Sequence, residues 1–125
     1  MKKIAIISLF LFTFIYGKSI PRGIYAIAIF DEKGIGENVQ HIRETKNDYN
    51  GICYTKIFIL GELFYSNPEV TIGTSKGHYQ SRIPIFNSKK IKIGEELLYK
   101  HYNVKKGYIE VSLYGKIYDT KVYVK

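Results

Sequence analysis

Few side chains in this sequence are suited to covalent or metal chemistry. They are one cysteine, Cys53, three histidines, His41, His78 and His101, and three acids close together at Asp31, Glu32 and Glu37. Three histidines could hold zinc if the fold gathered them, but no His-x-His or His-Glu-x-x-His spacing is present, so no metal site is expected. The three acids lack the spacing of a calcium loop. Cys53 is flanked by neutral Tyr54 and Thr55, with Lys56 the nearest base, which is too little to stabilise a thiolate; a free, buried thiol is expected. Gly34-Ile35-Gly36 lacks the third glycine and the following helix of a phosphate loop, and Ser75 and Ser81 lack a nucleophile elbow. The expected chemistry is binding, without catalysis and without a cofactor.

The charge pattern says more about what would be bound. The chain has 125 residues, is 46% apolar and carries a net charge of +8, which fits one globular domain. One cysteine excludes an internal disulfide. Lys2 and Lys3 precede an apolar run over 4–16, followed by Gly17 and Ser19, the layout of a secretory signal peptide. The run is shorter than the roughly 20 residues of a transmembrane span. Residues 1–19 are therefore expected to be removed, by cleavage after Ser19 or alternatively after Gly17, from a secreted, extracellular protein whose domain is 20–125. Removal takes away three lysines and no acid, so +8 becomes +5. Residues 76–125 hold eleven bases against four acids, whereas 20–75 hold five against seven. The candidate contact residues are Lys89, Lys90, Lys92, Lys100, Lys105 and Lys106, facing an anionic lipid or cell-surface component. Nucleic acid is not an expected partner of an exported chain.

The elements that would position these residues follow a period of two. Residues 108–113 place Ile109, Val111 and Leu113 on one face, and 116–125 place Tyr118, Thr120, Val122 and Val124 on one face with Asp119, Lys121 and Tyr123 opposite. Gly115 predicts a hairpin between them. Further strands are expected at 24–30, apolar on both sides and so covered on both, and at 52–60, 70–74 and 79–86, the last at a sheet edge because Pro84 lacks an N–H. Turn residues fill 31–38, 46–51 and 105–107. A short helix is predicted at 94–102, with Glu95 and Glu96 in its first turn and Lys100 and His101 in its last. The sum is an all-β antiparallel sandwich of about seven strands.

The order of motifs resembles the transthyretin-like family of secreted nematode proteins. Gly17-Lys18-Ser19-Ile20-Pro21 is similar to that family's glycine-lysine turn, and Tyr25-Ala26-Ile27-Ala28-Ile29-Phe30-Asp31-Glu32 to the strand after it. Thr45 to Gly51 is similar to its Thr-Asp turn, Asn67-Pro68-Glu69-Val70-Thr71-Ile72 to its proline-led strand, Gln80-Ser81-Arg82-Ile83-Pro84-Ile85 to the next strand, and Gly107-Tyr108-Ile109-Glu110-Val111 to the last. The resemblance implies a prealbumin-type, Ig-like sandwich acting as a non-enzymatic extracellular binding or adaptor protein. This chain departs from the family in lacking its cysteines, in placing the first strand inside the signal segment, and in ending on a basic, tyrosine-rich strand. Hydroxyisourate hydrolase shares that architecture but uses histidines, an arginine and a C-terminal Tyr-Arg-Gly-Ser, and this chain ends Thr120-Lys121-Val122-Tyr123-Val124-Lys125. A C2-like lipid-binding sandwich is the alternative, but only Asp31, Asp48 and Asp119 are present to build its calcium loops.

Overall fold

A computed structural model describes residues 21–61 and 66–125, all of it strand, turn and loop. Residues 1–20, on which the expected signal peptide and all but Pro21 of the expected glycine-lysine turn fall, lie outside the described residues. Among the described residues no helix is long and apolar enough to cross a membrane.

Eight strands follow one another: β1 (Gly23–Asp31), β2 (Gly36–Asn38), β3 (Gly51–Leu60), β4 (Glu69–Ile72), β5 (Ser75–Phe86), β6 (Lys92–Val104), β7 (Gly107–Leu113) and β8 (Lys116–Val124). They pair antiparallel in the order β2-β1-β3-β6-β5-β4-β7-β8. The sheet curls into a half-barrel that brings β1 against β7 and β8. Strand alternation fills the concave side with Ile24, Ala26 and Ile29 from β1, Cys53, Ile57 and Ile59 from β3, and Leu97 and Tyr99 from β6. Val70, Ile72, Ile109, Val111, Val122 and Val124 complete this core from the other end of the sheet.

The segment predicted as a helix is most of β6, the longest strand, bound by β3 on one side and β5 on the other. Glu95, Leu97, Tyr99 and His101 alternate inward and are buried. Charge placement favourable to a helix dipole is worth tenths of a kcal/mol to about 1, and two full ladders of hydrogen bonds with burial of every second side chain outweigh it. Part of the turn expected at 31–38 is the short strand β2, which brings the count to eight. Its hairpin is held by the Asp31 carboxylate, which accepts from the N–H groups of Lys33 and Ile35 at 2.9 and 3.0 Å. Strand β1 is covered on one face only, since Ala28 and Phe30 on its outer side are half-buried and Tyr25 is exposed. Pro84 does lie at an edge, because β4 covers β5 only at Ser75 and Lys76.

Two irregularities close the half-barrel. Register shifts between β7 and β8 at Ile109/Val111 and Val111/Ser112 each put an extra residue into β8, and the first turns Asp119 to the same side as Val122 instead of the opposite one expected from simple alternation. A second shift lies between Ala26 and Ala28 of β1. Across the gap the Ala26 N–H donates to Asp119 Oδ2 at 2.9 Å, joining residues that are 93 positions apart. Next to it, the β2–β3 connection lies along the free edge of β8. Thr45 N–H donates to Tyr123 O (2.9 Å) and Tyr123 N–H to Arg43 O (2.8 Å). Thr45 Oγ1 accepts from Lys125 N–H at 3.1 Å. Glu37 anchors that connection by accepting from Lys46 N–H, Asn47 N–H and the Tyr49 hydroxyl. Burial alone would raise the Glu37 pKa, but these donors hold it below the usual carboxylate value.

Asp119→Ala leaves the Ala26 N–H buried without an acceptor and is expected to cost about 1–3 kcal/mol in urea unfolding. Asp119→Asn keeps an acceptor oxygen and should lose clearly less; equal losses would mean that the bond is not what closes the sheet.

Candidate functional site

The residues with chemical potential are not brought together. His41 is exposed in the β2–β3 connection, His78 is exposed on β5, and His101 points into the core from β6. His78 and His101 lie on adjacent strands but on opposite faces, since His78 registers with Lys100 and His101 with Gly77. Among the described residues no three His, Cys, Asp or Glu side chains are placed to share a metal ion. Asp31, Asp48 and Asp119 are likewise spread over a turn, a loop and the core.

Cys53 and His101 are cross-strand partners on the buried face of β3 and β6. Burial pushes the thiol pKa up to about 12, so Cys53 carries no thiolate near neutral pH. His101 is 0% exposed. Its Nε2 is hydrogen-bonded to Thr55 Oγ1 at 2.9 Å, while Nδ1 has no partner. Burial pulls the imidazole pKa down to about 4; the Ser75 backbone favours the charged form without reaching hydrogen-bond geometry at Nδ1, and His78 disfavours it. The pair is a neutral thiol and a neutral imidazole, the opposite of an activated nucleophile and its base. Gly77 is required here, because a Cβ on it would come within 2.8 Å of the imidazole ring.

The six lysines divide into three groups. Lys89 and Lys90 form the β5–β6 turn with Lys92 just beyond it, Lys105 and Lys106 form the β6–β7 turn, and Lys100 lies between on the convex face. Twelve strand steps from Lys92 to Val104 separate the two turns by about 40 Å. Lys92 Nζ approaches Glu95 Oε2 at 3.4 Å, and Arg82 Nε approaches the same oxygen at 3.8 Å. Lys89 and Lys90 are exposed.

Around the first group the structure adds what sequence reasoning missed. Phe86 is 55% and Ile91 57% exposed, and Ile83 on the same hairpin is 52% exposed. From the β3 side the backbone bonds run to Gly61 N–H on Ile93 O (2.9 Å), and among the described residues none from that side reaches further toward the tip. The tip is also well ordered by its own hydrogen bonds: Asn87 Oδ1 accepts from Lys89 N–H (2.8 Å) and Ile91 N–H (3.1 Å), and Asn87 N–H donates to Ile91 O (3.0 Å). Lys90 takes the left-handed conformation that completes the turn, at φ 62°. The available sequence signal is that residues 70–94 contain five bases and no acid. The exposure of Phe86 and Ile91 has no such signal, because apolar residues beside a turn usually face a core.

No family model, no curated protein and no solved structure matches this chain.

The His101 environment gives a pH dependence with a definite sign. An unfolded histidine titrates near about 6.5, whereas folded His101 titrates near 4. Between these values the unfolded chain binds a proton that the folded chain does not, so stability falls as pH falls through the window, by at most about 3 kcal/mol. Urea unfolding at a series of pH values should show this slope, and His101→Gln, which can still bond Thr55, should flatten it. A slope unchanged in the variant would assign the effect to other groups.

Proposed function

We propose that this chain is a secreted, non-enzymatic binding protein that docks on anionic lipid surfaces through the β5–β6 hairpin tip. The observation that carries the reading is the tip itself, where two large apolar side chains stand exposed among lysines on a turn held by its own hydrogen bonds. Ile35 and Ile117 are as exposed elsewhere, and what sets the tip apart is that Phe86 and Ile91 stand close in sequence to three lysines and no acid. Mixed with lysines they suit the interface of a bilayer, where Phe86 and Ile91 enter the acyl boundary and the ammonium groups stay with the headgroups. The acid-free stretch around them avoids repulsion from an anionic surface.

The fold reading within this proposal is an Ig-like sandwich. Strands β1, β3, β6 and β5 against β4, β7 and β8 pair in the four-and-three order of constant-type immunoglobulin sheets, which supports that class. A divergent transthyretin-like relationship rests on the motif order in the sequence. The inactive Cys53–His101 environment and the separated histidines favour binding over hydrolysis, and the scattered aspartates disfavour a calcium-dependent C2-type attachment.

Flotation with phosphatidylcholine vesicles, with and without phosphatidylserine, tests the reading. Binding is expected only to the anionic vesicles and should weaken with salt. Lys89→Gln with Lys90→Gln leaves the Glu95 pair intact and removes about 2 kcal/mol of headgroup attraction, roughly thirty-fold in affinity. Ile91→Ser should weaken binding with little change in its salt dependence. Absence of binding to anionic vesicles, or binding indifferent to both variants, would refute the proposal.

A further inference from the structure

The convex face of β1, β3, β6 and β5 carries a second arrangement that the hairpin tip does not use. Cross-strand register sets Phe30, Tyr54, Lys100 and His78 in one row over four strands, spanning about 14 Å. The rings of Phe30 and Tyr54 are stacked at 5.3 Å and 10°. Lys56 Nζ lies 5.8 Å from the Phe30 ring centre, and Lys100 Nζ lies 5.7 Å from that of Tyr54 and 5.1 Å from that of Tyr102. His78 meets the edge of Tyr102 at 5.4 Å. A shallow groove of about 270 Å³, lined in part by Phe30, Gly36, Asn38 and Lys56, continues the row past β1.

This face is basic, and two of its cations rest on aromatic rings. Alternation puts Lys56, Lys76 and Lys100 outward with one acid, Glu96, and the groove adds Glu37, whose carboxylate is taken up by Lys46 N–H, Asn47 N–H and the Tyr49 hydroxyl. The salt bridges among the described residues both end on Glu95, so Lys56 and Lys100 are held by aromatic rings and not by carboxylates. Lysines already resting on rings lose less freedom when they bind an anion.

We propose that this face binds a sulfated or carboxylated glycan chain lying across the strands, with Lys56 and Lys100 on its anionic groups and Phe30, Tyr54 and Tyr102 against its sugar rings. The backbone in the middle of a sheet is fully paired and offers no ladder to an extended acidic peptide, so aromatic walls and fixed cations favour a saccharide. Eight strand steps from Lys92 place Lys100 about 26 Å from the tip, beyond the roughly 8 Å screening length of physiological salt. The two surfaces therefore act separately, and this one stands whether or not the tip meets a bilayer.

The test is titration of the full chain with a heparin-derived oligosaccharide, followed by amide chemical shifts and calorimetry. Shifts are expected at β1, β3 and β6 around Phe30, Tyr54 and Lys100. Lys56→Gln with Lys100→Gln should weaken binding about tenfold or more while leaving the melting temperature nearly unchanged. Lys89→Gln with Lys90→Gln should leave this affinity as it is, which separates the result from any failure at the bilayer. The inference is overturned if the oligosaccharide does not bind, if the tip lysines carry its binding, or if polyglutamate binds the same face equally well.

Discussion

A curled sheet has two ends, and in this protein a buried carboxylate reaches across the gap between them, beside the bonds that the β2–β3 connection makes to β8. Asp119 reaches from β8 to the Ala26 N–H of β1, at a point where each strand leaves its regular register. Without the irregularity in β8, Asp119 would face outward and the N–H of Ala26 would be buried with no acceptor. A buried donor left unpaired costs about as much as a well-formed hydrogen bond contributes, or more. The closure in turn allows the core of β1, β3 and β6 to be covered by β7 and β8, and lets the β2–β3 connection seal the remaining edge of β8 through Arg43 and Thr45.

Much of this architecture was legible in the sequence because it depends on local alternation. The inward sets Ile109, Val111 and Leu113 in β7 and Val122 and Val124 in β8 can be read directly, as can the edge position of Pro84. The segment at 94–102 was not, because its charges imitate a helix while its membership in the sheet depends on neighbours at Cys53 to Leu60 and Gly77 to Ile85. The inward turn of Asp119 was also hidden, since a single inserted residue inverts the alternation and leaves no mark in composition. As to the candidate site, the six lysines were visible as types, but their division into three groups is set by the length of β6. Phe86 and Ile91 were invisible as surface residues because apolar side chains beside a turn usually face a core.

The buried polar groups show how little of the interior is available for reaction. Cys53 and His101 look like a reactive couple by identity, yet both are held neutral by the apolar surroundings that make them good core residues. The polar resources of the chain lie outside. On the convex face they are cations resting on aromatic rings, and at the hairpin they are cations beside bare aliphatic and aromatic groups. The same residue type thus serves two different surfaces, distinguished by what surrounds each ammonium group.

The open side of β5 has a consequence for the behaviour of the protein in concentrated solution. An uncovered strand with apolar residues would ordinarily template the stacking of further chains, edge upon edge. Pro84 removes one donor from that side, and the register shift between Tyr79 and Ser81 bends the strand a few residues earlier. Such interruptions work against pairing with a further chain, and they lie on the strand that carries Ile83 and Phe86 in the open.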